Sequence, residues 1–158
     1  MIDALKGHTM LTMFFATSTP TGSNATRQKA MFSFTEAIAE PDNAPLLSPS
    51  RYIAMLRIDI NTFAVNAHVH RNTVLRAPGA ASVQDYLRKN LRVLSAAFDV
   101  SGQDAAKALQ WFRNEPLAPF GYKTAEQLVS DGRGDDVLRL IDSYAAGAAG
   151  RSRMSALA

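Results

Sequence analysis

The sequence predicts an all-α fold: a helical bundle with a central helix-turn-helix and a C-terminal helical lobe. Three observations carry this. From Ser48 to Ile141 the apolar residues recur at spacings of three and four, no segment alternates at period two for long, and helix start and stop signals punctuate the same stretch. At 158 residues, 47% hydrophobic and 20% charged, the chain has the composition of one globular domain or two small lobes sharing a core. It holds no cysteine, which excludes disulfides, thiolate chemistry and cysteine-ligated zinc. Met10 to Ala16 is the longest apolar run, well short of the ~18 residues that span a bilayer. No secretory layout surrounds it, so a cytoplasmic protein without membrane association is expected.

Residues 1–47 read as a flexible arm and linker. TSTPTGSNATRQK (17–29) is polar and turn-rich, and Met31 to Ala39 offers a short helix with Phe32, Phe34 and Ile38. Pro41, Asn43, Pro45 and Pro49 then break the chain into a linker. Residues 48–99 form the helix-turn-helix region. Ser48 is an N-cap before Pro49 at the first helical position, and Tyr52, Ile53, Leu56 and Ile58 are the apolar side of that helix. Asn61 to Ala67 and His70 to Ala77 make two short helices joined by a tight turn. Ser82 caps a longer helix carrying Val83, Leu87, Leu91, Leu94 and Phe98. Ser101 caps the next, in which Ala105, Leu109 and Phe112 share a face.

The segment from Asn61 to Arg76 has helix-turn-helix spacing. Ala64 is small where the two helices cross, Val69 lies just after the turn, and Val74 with Leu75 would pin the second helix to the core. His70, Arg71, Asn72, Thr73 and Arg76 are left as the DNA-reading candidates, since Arg pairs with guanine and Asn with adenine in the major groove. The net charge is only +3, but between Arg51 and Arg92 seven Arg and Lys residues face two Asp. Arg51, Arg57 and Arg88 are candidate phosphate contacts in that positive field. The turn departs from the usual pattern: Ala67-His68 stands where glycine is favoured.

Little recommends an enzyme. His8, His68 and His70 are the only histidines and form no zinc pattern. No Gly-x-Ser-x-Gly elbow or phosphate-cradling glycine loop is present. Asp135 and Asp136 suit the first turn of a helix, where acids meet the positive dipole end, better than a cation site. No metal and no cofactor is expected.

The stretch WFRNEPLAPFGYKTAEQLVSDGRGDDVLRLIDSY (111–144) is the most specific part of the chain. Pro116 and Pro119 stop a helix and stiffen an elbow that holds Leu117, Phe120 and Tyr122. Thr124 to Gln127 fits a capping box, and Gly132 and Gly134 flank Arg133 at a break before an amphipathic last helix. Trp111-Phe112, Pro116-Leu117, Phe120, Thr124, Leu128, Gly132-Arg133 and Val137-Leu138 through Ile141 resemble the toxin-binding domain of the Xre/MbcA/ParS-type antitoxins. The resemblance covers roughly the last third strongly and reaches more weakly back to about Ser48.

That resemblance implies a type II antitoxin whose partner is a NAD-consuming RES-domain toxin, which it would bind and occlude. It also implies a homodimer that binds operator DNA and represses its own operon. Residues 100–146 would be the toxin-binding lobe, with Trp111, Pro116, Phe120, Tyr122, Arg133, Leu138 and Tyr144 as contacts. Residues 147–158 would be a flexible tail at the mouth of the toxin's NAD pocket, with Arg151 or Arg153 on its rim. A plain helix-turn-helix transcription regulator without a toxin partner is the alternative, and a scaffold without a DNA role is a further one.

Overall fold

A computed structural model describes the backbone of residues 34–156 and the side chains of residues 34–148. The chain runs through α1 (Pro49–Leu56), α2 (Ile60–Asn66), α3 (Arg71–Arg76), α4 (Ala81–Val100), α5 (Ala105–Asn114), a 3₁₀ turn (Ala118–Phe120), α6 (Ala125–Ser130) and α7 (Gly134–Ala156). Among the described residues the only β pairings are two isolated bridges, Ala39 with Leu47 and Leu117 with Lys123. The fold is all-α. No helix among the described residues is long and apolar enough to cross a membrane.

α4 is the spine, and its sequence explains why. Besides Val83, Leu87, Leu91 and Leu94, it buries Tyr86, Val93 and Ala97, so its covered surface is far wider than the stripe of a surface helix. α1, α5, α6 and α7 pack around it. One hydrophobic cluster runs from Phe34 to Ile141, so the regions 48–99 and 100–146 share a core. Within it Tyr52, Phe63 and Tyr86 meet edge to face, with ring centroids 5.4–6.3 Å apart.

The structure corrects several expectations. Residues 34–47 are not a flexible arm: 34–38 are helical, within the short helix expected from Met31 to Ala39, and Phe34, Ile38 and Leu47 are core residues. Phe34 lies edge-on to Phe98 at 5.6 Å. The backbone of this segment is tied down as well, since Ser48 N–H donates to the Ile38 carbonyl at 2.7 Å. The buried Gln84 amide grips both backbone groups of Leu47, accepting from its N–H at 3.0 Å and donating to its carbonyl at 2.8 Å. Residues 1–33 lie outside the described residues.

At the other end the helix is not released at Gly147, because the backbone of α7 stays helical to Ala156. A helical glycine costs about 1 kcal/mol relative to alanine, and Ala145, Ala146, Ala148 and Ala149 are the strongest helix formers available to offset it. Two caps also differ. α4 begins at Ala81, leaving Ser82 inside it, and Ser101 ends α4 rather than starting α5. The N-cap of α5 is Asp104, whose carboxylate accepts from Lys107 N–H. Ser48 stands at the N-cap of α1 but makes no side-chain capping bond. Leu75, expected in the core, points outward, while Val74 alone of that pair is buried.

Candidate functional site

The elbow after α5 is a closed loop built on Leu117. That side chain is buried. Its N–H donates to the Lys123 carbonyl, and its own carbonyl accepts from the N–H groups of Phe120 and Tyr122, all at 3.0 Å. Pro119 sits in the first turn of the 3₁₀ segment, where a missing N–H costs nothing. Gly121 and Tyr122 are both left-handed, with φ of 66° and 62°. The consecutive left-handed residues swing the Tyr122 ring outward, where it is 72% exposed.

α6 begins directly after the loop. Thr124 and Gln127 form the expected capping box, with the hydroxyl accepting from Gln127 N–H and the amide oxygen accepting from Thr124 N–H. The helix ends in a Schellman motif: Gly132 N–H reaches the Val129 carbonyl at 3.0 Å and Arg133 N–H the Leu128 carbonyl at 2.7 Å. Gly132 carries the left-handed conformation this needs, at φ 78°. The motif turns the chain so that the Arg133 guanidinium lies over the Phe120 ring, 5.1 Å from its centroid. Its Nε also donates to Asp136 Oδ2 at 2.9 Å, and Arg139 Nη1 donates to Asp136 Oδ1 at 3.2 Å. Cation–π stacking on one side and the carboxylate on the other hold the Arg133 side chain in place. Lys123 pairs with Asp131 at 2.6 Å across the base of the loop, and that hydrogen bond holds the Asp131 carboxyl below its ordinary range.

Of the residues expected to bind a partner, the fold therefore joins Phe120 and Arg133 directly and exposes Tyr122 on the same loop. Pro116 is exposed at the start of the elbow. Trp111 is half-buried while Phe112 is fully buried, the two side chains pointing about 100° apart around α5. Leu138 and Tyr144 lie further along α7. Leu138 lines a groove of about 260 Å³ against Ser95, Ala96 and Val100 of α4, and Tyr144 is exposed. The Arg151 side chain lies outside the described residues.

α2 and α3 form the second candidate surface. Asp59 caps α2, accepting from Asn61 N–H at 2.8 Å and Thr62 N–H at 3.1 Å. α2 ends as α6 does, with His68 N–H bonded to the Val65 carbonyl and Val69 N–H to the Ala64 carbonyl. His68 takes the glycine position at φ 54°. That conformation costs a side-chain-bearing residue about 1–2 kcal/mol, and the imidazole compensates through Nε2, which lies 2.8 Å from the Ser130 carbonyl. Ser130 Oγ in turn donates to the Asn66 carbonyl at 2.7 Å, and Asn66 Nδ2 donates to Glu126 Oε1 at 3.1 Å. The turn between α2 and α3 is thereby clamped to α6.

His70, Arg71, Asn72 and Arg76 are exposed and Thr73 is half-buried. His70 has a structural duty that its sequence position does not announce: it is the N-cap of α3, with Nδ1 accepting from Asn72 N–H at 3.2 Å. Lys89 pairs with Asp85 and Arg92 with Asp135. Arg51, Arg57, Arg71, Arg76 and Arg88 are exposed and make no ion pair among the described residues. No cluster of His, Asp or Glu able to hold a metal ion occurs among the described residues.

Between the two surfaces lies a partly buried polar junction. Glu126 faces Arg113, Oε2 to Nε at 3.9 Å, and Arg113 Nη1 donates to the Leu56 carbonyl. Burial pushes the Glu126 carboxyl above its ordinary range, against the opposing pull of Arg113 and Asn66. Burial likewise drives the Tyr52 and Tyr86 hydroxyls upward, so both are neutral at any physiological pH. Comparison of the chain with protein-family models, curated proteins and solved structures gives no match.

Proposed function

We propose that this chain is an antitoxin that binds a RES-domain toxin through the elbow and the Gly132–Arg133 break, and that binds DNA through α3. The observation that carries the reading is the stacking of Arg133 on Phe120 beside the exposed Tyr122. Two motifs separated in sequence, which together resemble the antitoxin pattern, meet in one surface with an aromatic group and a cation. Such groups dominate binding energy in protein interfaces. The mechanism is occlusion: the elbow and α7 supply affinity, and the end of α7, running to Ala156, covers the mouth of the toxin's NAD pocket.

The uncompensated arginines favour the DNA half of the proposal, because guanidinium groups without a carboxylate partner are what phosphate contacts use. Acting as a homodimer, the chain would bind a two-fold operator and repress its own operon. The same observation supports the second reading, a transcription regulator without a toxin partner. Co-expression with the neighbouring reading frame separates them. The proposal expects a complex stable through size-exclusion chromatography and cellular NAD that is depleted when the neighbour is expressed alone. An unassociated neighbour that leaves NAD untouched leaves only the regulator.

A further inference from the structure

α3 presents an outward arc that the sequence pattern alone does not reveal. With Val74 buried and Thr73 half-buried, Arg71, Asn72, Leu75 and Arg76 fall within roughly 140° of one another on the opposite side. Leu75 lies inside that arc, between Arg71 and Asn72 around the helix, and is 57% exposed. A lone exposed leucine is ordinary on a protein surface. This one is set beside the Asn72 carboxamide and two guanidinium groups that have no carboxylate partner among the described residues. Whatever covers it must satisfy two cations as well.

We propose that Leu75 is a specificity-determining residue that packs against the 5-methyl group of a thymine in the major groove. The inference rests on the DNA-binding reading of α3. It is argued from charge complementarity: a polyanion neutralises Arg71 and Arg76, and the thymine methyl is the apolar group that the major groove offers between hydrogen-bonding base edges. Arg71 and Arg76 would then supply hydrogen bonds to guanine or phosphate on either side, while Leu75 selects the thymine between them. A second copy of this chain meets the demand less well, because it would bring its own unneutralised arginines to the same face.

The test uses the full chain and DNA selected from a random duplex pool. Each thymine of the selected site is replaced singly by deoxyuridine, which removes only the methyl group. The expected result is one position per half-site at which the replacement weakens binding about fourfold, the effect of burying one methyl group. Leu75→Ala should bind thymine and deoxyuridine duplexes equally, with unchanged helicity and unchanged elution volume. Wild-type protein indifferent to every replacement overturns the inference while leaving DNA binding intact. A shift of Leu75→Ala to a smaller species overturns it in favour of a self-interface. Failure to enrich any sequence overturns both the inference and the reading beneath it.

Discussion

Ile38 is fully buried in a segment whose sequence reads as part of a flexible arm, and replacing it by alanine measures how much that segment contributes. The substitution removes three carbon atoms from a site with no access to water. At about 0.8 kcal/mol per buried carbon the transfer cost is about 2.4 kcal/mol, and the residual cavity brings the expected loss to roughly 3 kcal/mol, inside the usual range for such truncations. The neighbouring helical turn cannot collapse freely into the void, because Ser48 N–H is bonded to the Ile38 carbonyl and Gln84 fixes Leu47 from α4. For a domain of this size the loss corresponds to a fall in melting temperature of roughly 6–12 °C. Thermal denaturation monitored by circular dichroism reads it directly, with Glu36→Gln, a change at an exposed position of the same helical turn, as the control. A fall below about 2 °C would refute the packing of residues 34–47 on α4.

Other perturbations separate local causes. Because the folded state holds the Glu126 proton more tightly than the unfolded chain does, this carboxyl contributes stability below its ordinary value of 4.5 that is lost as pH rises through the raised folded value. Glu126→Gln keeps an acceptor for Asn66 without titrating, so its stability relative to wild type should rise with pH across that window. A constant difference between the two denaturation profiles would contradict the assignment. Gly132→Ala meets no neighbouring atom but forces alanine to φ 78°, so a loss of about 1–2 kcal/mol is expected in denaturant titrations. Gly147→Ala, also unobstructed and inside α7, should instead raise helicity by removing a glycine penalty of about 1 kcal/mol. Equal effects at the two glycines would show that the end of α6 is not the left-handed turn described.

Much of the helical plan is legible in the sequence because its signals are local. The Thr124 capping box, the Gly132 break, the proline elbow and the three-and-four spacing of α4 each lie within a few residues. What escapes a local reading depends on partners far along the chain. A short helix near residue 34 is legible, but its docking and that of the following segment are not, because they depend on Gln84 and Phe98. His68 looks unfavourable in a left-handed turn because its compensating partner, Ser130, is 62 residues away. Sequence spacing assigns Leu75 inward with Val74, but adjacent helical residues diverge by about 100°, and α3, packed on one side only, buries Val74 and leaves Leu75 outward. On the elbow, sequence offers Phe120 and Arg133 as separate candidates, and their stacking emerges only from the Schellman turn that brings them together.

The most direct test of the proposed partner-binding surface is the affinity of Tyr122→Ala for the protein encoded by the neighbouring reading frame, measured beside wild type with NAD consumption as the second readout. Tyr122 is the most exposed large hydrophobic residue of the elbow, so its truncation leaves the fold, checked by helicity and melting temperature, unchanged. If it is an interface anchor, removal costs at least about 2 kcal/mol, roughly a thirtyfold loss of affinity, and NAD consumption returns at concentrations of the variant at which the wild-type chain suppresses it. Affinity and NAD protection equal to wild type would contradict the proposal that the elbow binds the partner.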